Sequence, residues 1–161
     1  VLFVLAGPSG AGKTTLSHRL VERFEDARFS VSTTTRPPRG EERDGVDYFF
    51  VSPAEFDRRI SCGWFLEWAE VHGHRYGTSA EWVGSTLASG TSVILDIDVQ
   101  GAMNVRAGMP GAVLIFVMPP SMDVLAERLS LRGTDCGDSI RRRLAASAGE
   151  IRYCGAFDYI V

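Results

Sequence analysis

The apolar run Val1–Ala6 leads directly into Gly7-Pro8-Ser9-Gly10-Ala11-Gly12-Lys13-Thr14-Thr15, and an amphipathic stretch follows from Lys13. Each fixed position of G-x-x-x-x-G-K-[ST] is satisfied, so the chain must open as strand, tight loop, helix. Glycines let successive backbone N–H groups curl around an anion, and the helix N-terminus adds its positive end. Lys13 is the only lysine; every other fixed cation among the 17 Lys plus Arg is arginine. A slim stem with a rotatable point charge suits a bridge between β- and γ-phosphates better than a planar guanidinium. Residues 7–15 therefore read as the phosphate site of a nucleoside triphosphate, with Thr14 as a ligand for Mg²⁺ as cofactor.

The rest of the chain continues the alternation. Strands are expected at Val1–Ala6, Phe29–Ser32, Tyr48–Val51, Phe65–Val71, Thr91–Ile97, Ala112–Val117 and Asp158–Val161. The nearly all-apolar runs "SVILDI" and "AVLIFV" suit parallel strands covered on both faces. Ser52-Pro53-Ala54-Glu55 and Thr78-Ser79-Ala80-Glu81 carry helix-start signals, and further helices are expected over 13–24, 99–107, 121–131 and 138–152. The pattern predicts an α/β fold around a mostly parallel sheet, with 161 residues enough for one core. Residues 33–78 are richer in short strands and read as an inserted lobe. Both ends are abrupt, and we expect a C-terminal segment beyond Val161.

Composition excludes several classes. A net charge of −3 and a pI near 5.6 argue against a nucleic-acid surface. No apolar stretch approaches the roughly 18 residues of a membrane span. Cys62, Cys136 and Cys154 have no paired spacing, which fits reduced thiols and a cytoplasmic protein. His72-Gly73-His74 beside Glu70 has poor spacing for zinc.

Arg36 and Arg39 flank two prolines. A polyproline segment repeats every three residues, so both side chains are expected on one edge, where they can close on a phosphate dianion. With these residues in view, the chain resembles the guanylate kinases. The stretches "GPSGAGKTT", "SVSTTTRPPR", "DGVDYFFV", "FLEWAEVHGHRYGTS", "ILDIDVQGA" and "RGTDCGDSIRRRL" fall in that family's order and spacing, and the resemblance covers essentially the whole chain.

The resemblance implies a P-loop NTPase core (1–32 and 79–161), an inserted GMP-binding lobe (about 33–78) and a lid (about 128–143). It implies transfer of the ATP γ-phosphoryl to GMP, giving ADP and GDP. It carries Ser32, Arg36, Arg39, Tyr48, Glu67, Tyr76, Thr78 and Asp96 over to the GMP site. Guanine presents two donors, N1–H and the 2-amino group, beside the acceptor O6. Carboxylates at Glu67 and Asp96 suit the donors, and the hydroxyls of Ser32 and Thr78 suit O6 or N7. The resemblance makes Lys13, Arg132 and Arg143 the catalytic cations, with Arg128 in support and Arg141 and Arg142 left at the surface. Asp96 and Asp98 close the run "SVILDID". Which of them faces the metal stays open at this point; Asp98 is a candidate to act on Mg²⁺ through water.

Two features bear on other readings. A non-catalytic, phosphopeptide-binding scaffold domain of the same fold is the main alternative, but such modules typically lose parts of the phosphate loop, which is complete here. A kinase of another small acceptor fits Glu67, Thr78 and Asp96 less well. The family also commonly shows PR-x-G-E, whereas this chain reads Arg39-Gly40-Glu41-Glu42. If the loop needs a left-handed residue at the family's position, Glu41 is expected to be strained.

Overall fold

The structure, a computed structural model, describes residues 1–131 and 137–161. Strand β1 (Leu2–Ala6) enters the glycine loop and emerges as α1 (Lys13–Arg23), followed by β2 (Ala27–Phe29). The chain then builds β3 (Thr33–Thr34), β4 (Phe49–Phe50), α2 (Pro53–Ser61), β5 (Phe65–Val71) and β6 (His74–Ser79). It returns through α3 (Ala80–Ala88), β7 (Ser92–Asp96), α4 (Val99–Gly108) and β8 (Val113–Phe116). Helices α5 (Met122–Leu131) and α6 (Gly137–Ile151) and strand β9 (Tyr159–Ile160) complete it.

Two sheets result. The first, ordered β2-β7-β1-β8-β9, is parallel throughout, with Leu2 beside Val93 and Phe3 beside Val113. Alternation along β1 sorts its side chains to two faces. Leu2, Val4 and Ala6 pack with Val83 of α3 and with Ala102 and Val105 of α4, while Leu5 packs with Leu16 and Leu20 of α1. Covering both faces explains why β1 and β7 read as continuous apolar runs. The second sheet, β4-β3-β6-β5, is mixed: β3 and β4 run parallel, and the other pairs antiparallel.

Helix α2 starts at its expected cap, whereas α3 starts one residue later than the Thr78–Glu81 signal implies, because the Thr78 hydroxyl is engaged with Glu67. Ser52 accepts from the Glu55 N–H and Ser79 from the Trp82 N–H, capping α2 and α3. Three strands differ from expectation. The one expected at Phe29–Ser32 lies at Ala27–Phe29, because the chain leaves the parallel sheet after the Ser30 N–H bonds Ile94 O and joins the second sheet at Thr33. Strand β3 is absent from the strands expected above, and so is β6. Strand β6 is the antiparallel return of β5 through a turn at His72 (φ 52°) and Gly73 (φ 78°), and its largely polar sequence, with Gly77 and Thr78 buried, shows no apolar alternation. The expected lid residues Arg132 and Gly133 lie outside the described residues.

Candidate active site

The phosphate loop is shaped by close backbone approach. A Cβ on Gly7 (φ 141°) would stand 2.5 Å from the Val117 carbonyl oxygen, so only glycine fits against the end of β8. Gly12 (φ 106°) precedes α1 and offers no side-chain cap. The helical ladder begins with Leu16 N–H to Gly12 O, which leaves the N–H groups of Lys13, Thr14 and Thr15 ahead of it. Unlike α2 and α3, this N-terminus carries no side-chain cap, and such N–H groups are suited to an anion. Lys13 Nζ donates to the carbonyl oxygens of Gly7 (2.7 Å) and Pro8 (3.2 Å). Arg128 of α5 donates to those of Gly10 (3.2 Å) and Ala11 (3.1 Å). The loop is thus bridged by cations from both sides.

Across the site, β5 and β6 set Glu67 opposite Thr78, just past a register shift between Phe65 and Glu67. Glu67 is only 6% exposed, and Thr78 Oγ1 donates to its Oε1 at 2.6 Å. Burial pushes the Glu67 carboxyl up to about 7; the nearby Asp98 charge adds to the rise and the Thr78 hydrogen bond opposes it.

Arg36 is buried, and its guanidinium lies 5.2 Å from the centre of the Tyr48 ring, which in turn meets the Tyr76 ring edge-on at 6.0 Å. Glu42 grips Arg36 with both oxygens (2.9 and 2.8 Å) and accepts from the Arg39 N–H at 2.7 Å. Burial alone would raise the Glu42 carboxyl, but these partners hold it below its ordinary value. Glu42 closes the loop between the arginines, so they do not leave from one edge alike: Arg36 packs inward and Arg39 is exposed. Nothing in residue type marks Glu42 in advance; the available signal is a carboxylate three residues from Arg39. The left-handed residue is Gly40 itself (φ 55°), with open space around it, so the strain expected at Glu41 does not arise.

The two aspartates after β7 separate clearly. Thr14 Oγ1 donates to Asp96 Oδ2 at 2.6 Å, tying the phosphate loop to β7. The Asp96 charge also acts on Tyr48, whose hydroxyl is pushed up to about 12, chiefly by burial and then by that charge. Asp98 instead caps α4, its Oδ1 accepting from the N–H groups of Gln100 (2.7 Å) and Gly101 (3.1 Å). Ser32 is half-buried, and its carbonyl accepts from the Phe49 N–H. On α6, Arg143 is buried while Arg141 and Arg142 are exposed. Glu150, two turns beyond Arg143, has a buried Oε2 without a hydrogen-bond partner among the described residues, and burial raises its carboxyl. A cavity of about 540 Å³ runs between His72, Asp98, Gln100 and Glu150. A second, of about 770 Å³, borders Gly10, Gly12, Thr15, Arg128 and Val161.

The family model described as Guanylate kinase matches residues 1–161, the full chain. The chain belongs to the guanylate kinase family. It is 52% identical over 160 residues to a guanylate kinase of Dechloromonas aromatica, covering 99% of this chain and 79% of that protein. It is likewise 52% identical to the enzyme of Myxococcus xanthus over 162 residues, 100% of this chain and 78% of that one. A crystal structure of guanylate kinase from Anaplasma phagocytophilum superposes with a TM-score of 0.83 at 37% identity, covering 100% of this chain and 75% of that one. The protein is an enzyme, an ATP:GMP phosphotransferase, on the α/β fold of its family. Among the described residues, no helix is long and apolar enough to cross a membrane.

Proposed function

We propose that this guanylate kinase holds the ATP phosphates on residues 7–15 and GMP against the second sheet, with Asp96 at the junction. The observation that carries this reading is the Thr14–Asp96 hydrogen bond, because Asp96 acts at once on the phosphate loop and on Tyr48 of the lobe. The domain division follows it: a core of 1–32 and 79–161, a GMP lobe of about 33–78 and a lid of about 128–143. The cavity beside Thr15, Arg128 and Val161 is a fitting place for the adenosine.

A hydroxyl and a carboxylate, both hard oxygen donors, fit Mg²⁺, which keeps most of its waters and takes few protein ligands. The roles expected for the two aspartates are thereby exchanged: Asp96, bonded to Thr14, would hold the ion with it, and Asp98, engaged at the α4 N-terminus, would act on the base side in place of Asp96. When bound, the ion supplies neutralisation of charge on the β- and γ-phosphate oxygens.

The chain's own groups do the rest. Lys13 turns from the Gly7 and Pro8 carbonyls to the phosphate bridge. Arg36, Arg39, Tyr48 and Tyr76 hold the acceptor phosphate, while Ser32, Glu67 and Thr78 read guanine. Arg132 and Arg143 neutralise the transferring group. A general base is unnecessary, because a phosphate monoester with a second pKa of about 6 is already mostly dianionic at neutral pH. Catalysis is positioning plus charge stabilisation in a site that excludes water, which would otherwise hydrolyse ATP. We place the protein in the cytoplasm, where both nucleotides are at hand.

The test is a coupled assay of ADP release with Mg·ATP and GMP, dGMP, AMP, CMP or UMP in turn. These side chains address base and phosphate and leave the 2′-hydroxyl unread, so dGMP is expected to be accepted as well. A site that reads polar groups rejects the wrong base by about 10⁴–10⁵. AMP turned over as readily as GMP would overturn the assignment.

A further inference from the structure

Helical glycines in this fold mostly stand in open space: at Gly84 of α3, Gly108 of α4 and Gly149 of α6, an added Cβ would meet nothing within 4 Å. Gly101 differs. It is the third residue of α4, and its backbone is not left-handed, so no conformational reason calls for glycine there. A Cβ at Gly101 would lie 2.6 Å from Glu67 Oε2, 3.3 Å from Glu67 Cδ and 3.3 Å from Ile97 Cδ1. The missing side chain is the space that the buried carboxylate occupies.

We infer that Gly101 is a positioning residue for base selection: by lacking a Cβ it lets the first turn of α4 serve as the back wall that sets the Glu67 carboxylate. This rests on the reading of Glu67 as the guanine acceptor. The wall cannot easily retreat. Asp98 Oδ1 holds the Gly101 N–H at 3.1 Å, Ala102 and Val105 are fully buried in the core, and Asn104 Nδ2 donates to Trp68 O at 3.2 Å, beside Glu67 itself. The carboxylate therefore has to yield. Its other oxygen, Oε1, is held by Thr78 at 2.6 Å, so displacing Oε2 rotates the group out of line with both Thr78 and the base.

A methyl group at position 101 changes no polar atom, so its effect on guanine comes through geometry alone. Gly101→Ala is expected to raise the KM for GMP at least about 10-fold with a much smaller change in kcat, the pattern of lost binding shared by ground and transition states. The KM for ATP should stay within about 2-fold, since the phosphate loop is untouched. The preference for GMP over AMP should narrow.

A stability cycle keeps the inference testable if Gly101→Ala folds poorly. Alanine is intrinsically the better helix former, so only the clash can make it unfavourable. Gly101→Ala should lower Tm in the parent and raise it in a Glu67→Ala background. Thermal melts of the four proteins, with GMP/AMP assays of those that fold, tell the two possible failures apart. If Glu67→Ala leaves the GMP preference intact, the base-reading role of Glu67 fails. If Glu67→Ala removes that preference while Gly101→Ala changes neither it nor the KM for GMP, the Gly101 inference fails. Equal Tm shifts in both backgrounds would overturn it as well.

Discussion

Glu67 is where one side chain sets a pH dependence. In its proposed role the ionised Glu67 accepts from guanine N1–H and the 2-amino group, yet burial, with the Asp98 charge behind it, pushes the group up to about 7. Guanine donors favour the anion, so GMP binding must pull this pKa down and release a proton when it occurs below about pH 7. The KM for GMP is therefore expected to rise as pH falls through about 7, by up to about 10-fold per unit. Glu67→Gln should lose this limb and keep the one from the phosphate of GMP, whose second pKa is about 6. A wild-type KM flat between about pH 6.5 and 8 would show that Glu67 does not meet the base as an anion. The linked stability has the opposite sense. A raised carboxylate pKa stabilises the fold below its ordinary value, and that contribution is lost as pH rises from about 4.5 to about 7.

At the scale of elements, the glycine loop and the helix caps are the most legible parts of the sequence, because both are local. Strand, loop and α1 follow from nine consecutive residues, and Ser52 caps where its sequence signal places it; the cap of α3 falls one residue later than Thr78, whose hydroxyl goes to Glu67. Non-local geometry is not legible in the same way. That Thr14 meets Asp96, while Asp98 turns to α4, depends on the register of β1 against β7. The Glu67–Thr78 pair depends on a shift within β5, and β6 is hidden by its largely polar sequence, which lacks an apolar alternation. The grip of Glu42 on Arg36 cannot be read from a run of charges that equally suits a solvated loop. A sharp test of the local part is Gly7→Ala, which brings a Cβ against Val117 O in a backbone region that side chains avoid. We expect a loss of about 1–3 kcal/mol in stability and severe weakening of ATP binding, measured by denaturant melts and calorimetry. Ser52→Ala, a capping loss of about 1 kcal/mol far from the loop, should leave ATP affinity intact. ATP binding unchanged in Gly7→Ala would show that loop shape is not what holds the phosphates.

The whole molecule is two sheets with one substrate assigned to each, and Thr14–Asp96 and Tyr48 lie where they meet. If that division is right, the two nucleotides stabilise the fold through different residues. A ligand at about 100 times its Kd adds about 2.7 kcal/mol, which for a chain of this length is a rise in Tm of roughly 5–10 °C. GMP and Mg·ATP should each produce such a shift when added alone. Arg36→Ala should abolish most of the GMP shift, because Arg36 is buried at the acceptor end with Glu42 and Tyr48, and should leave the Mg·ATP shift nearly whole. Lys13→Ala should do the reverse, since the hydrogen bonds of Lys13 go to the Gly7 and Pro8 carbonyls of the phosphate loop. The variants' own melting points differ, so each shift is read against its own nucleotide-free protein. Differential scanning fluorimetry over a nucleotide titration gives both the shift and its midpoint. Loss of the Mg·ATP shift in Arg36→Ala, as large as its loss of the GMP shift, would mean that the lobe and the phosphate loop form one site and not two.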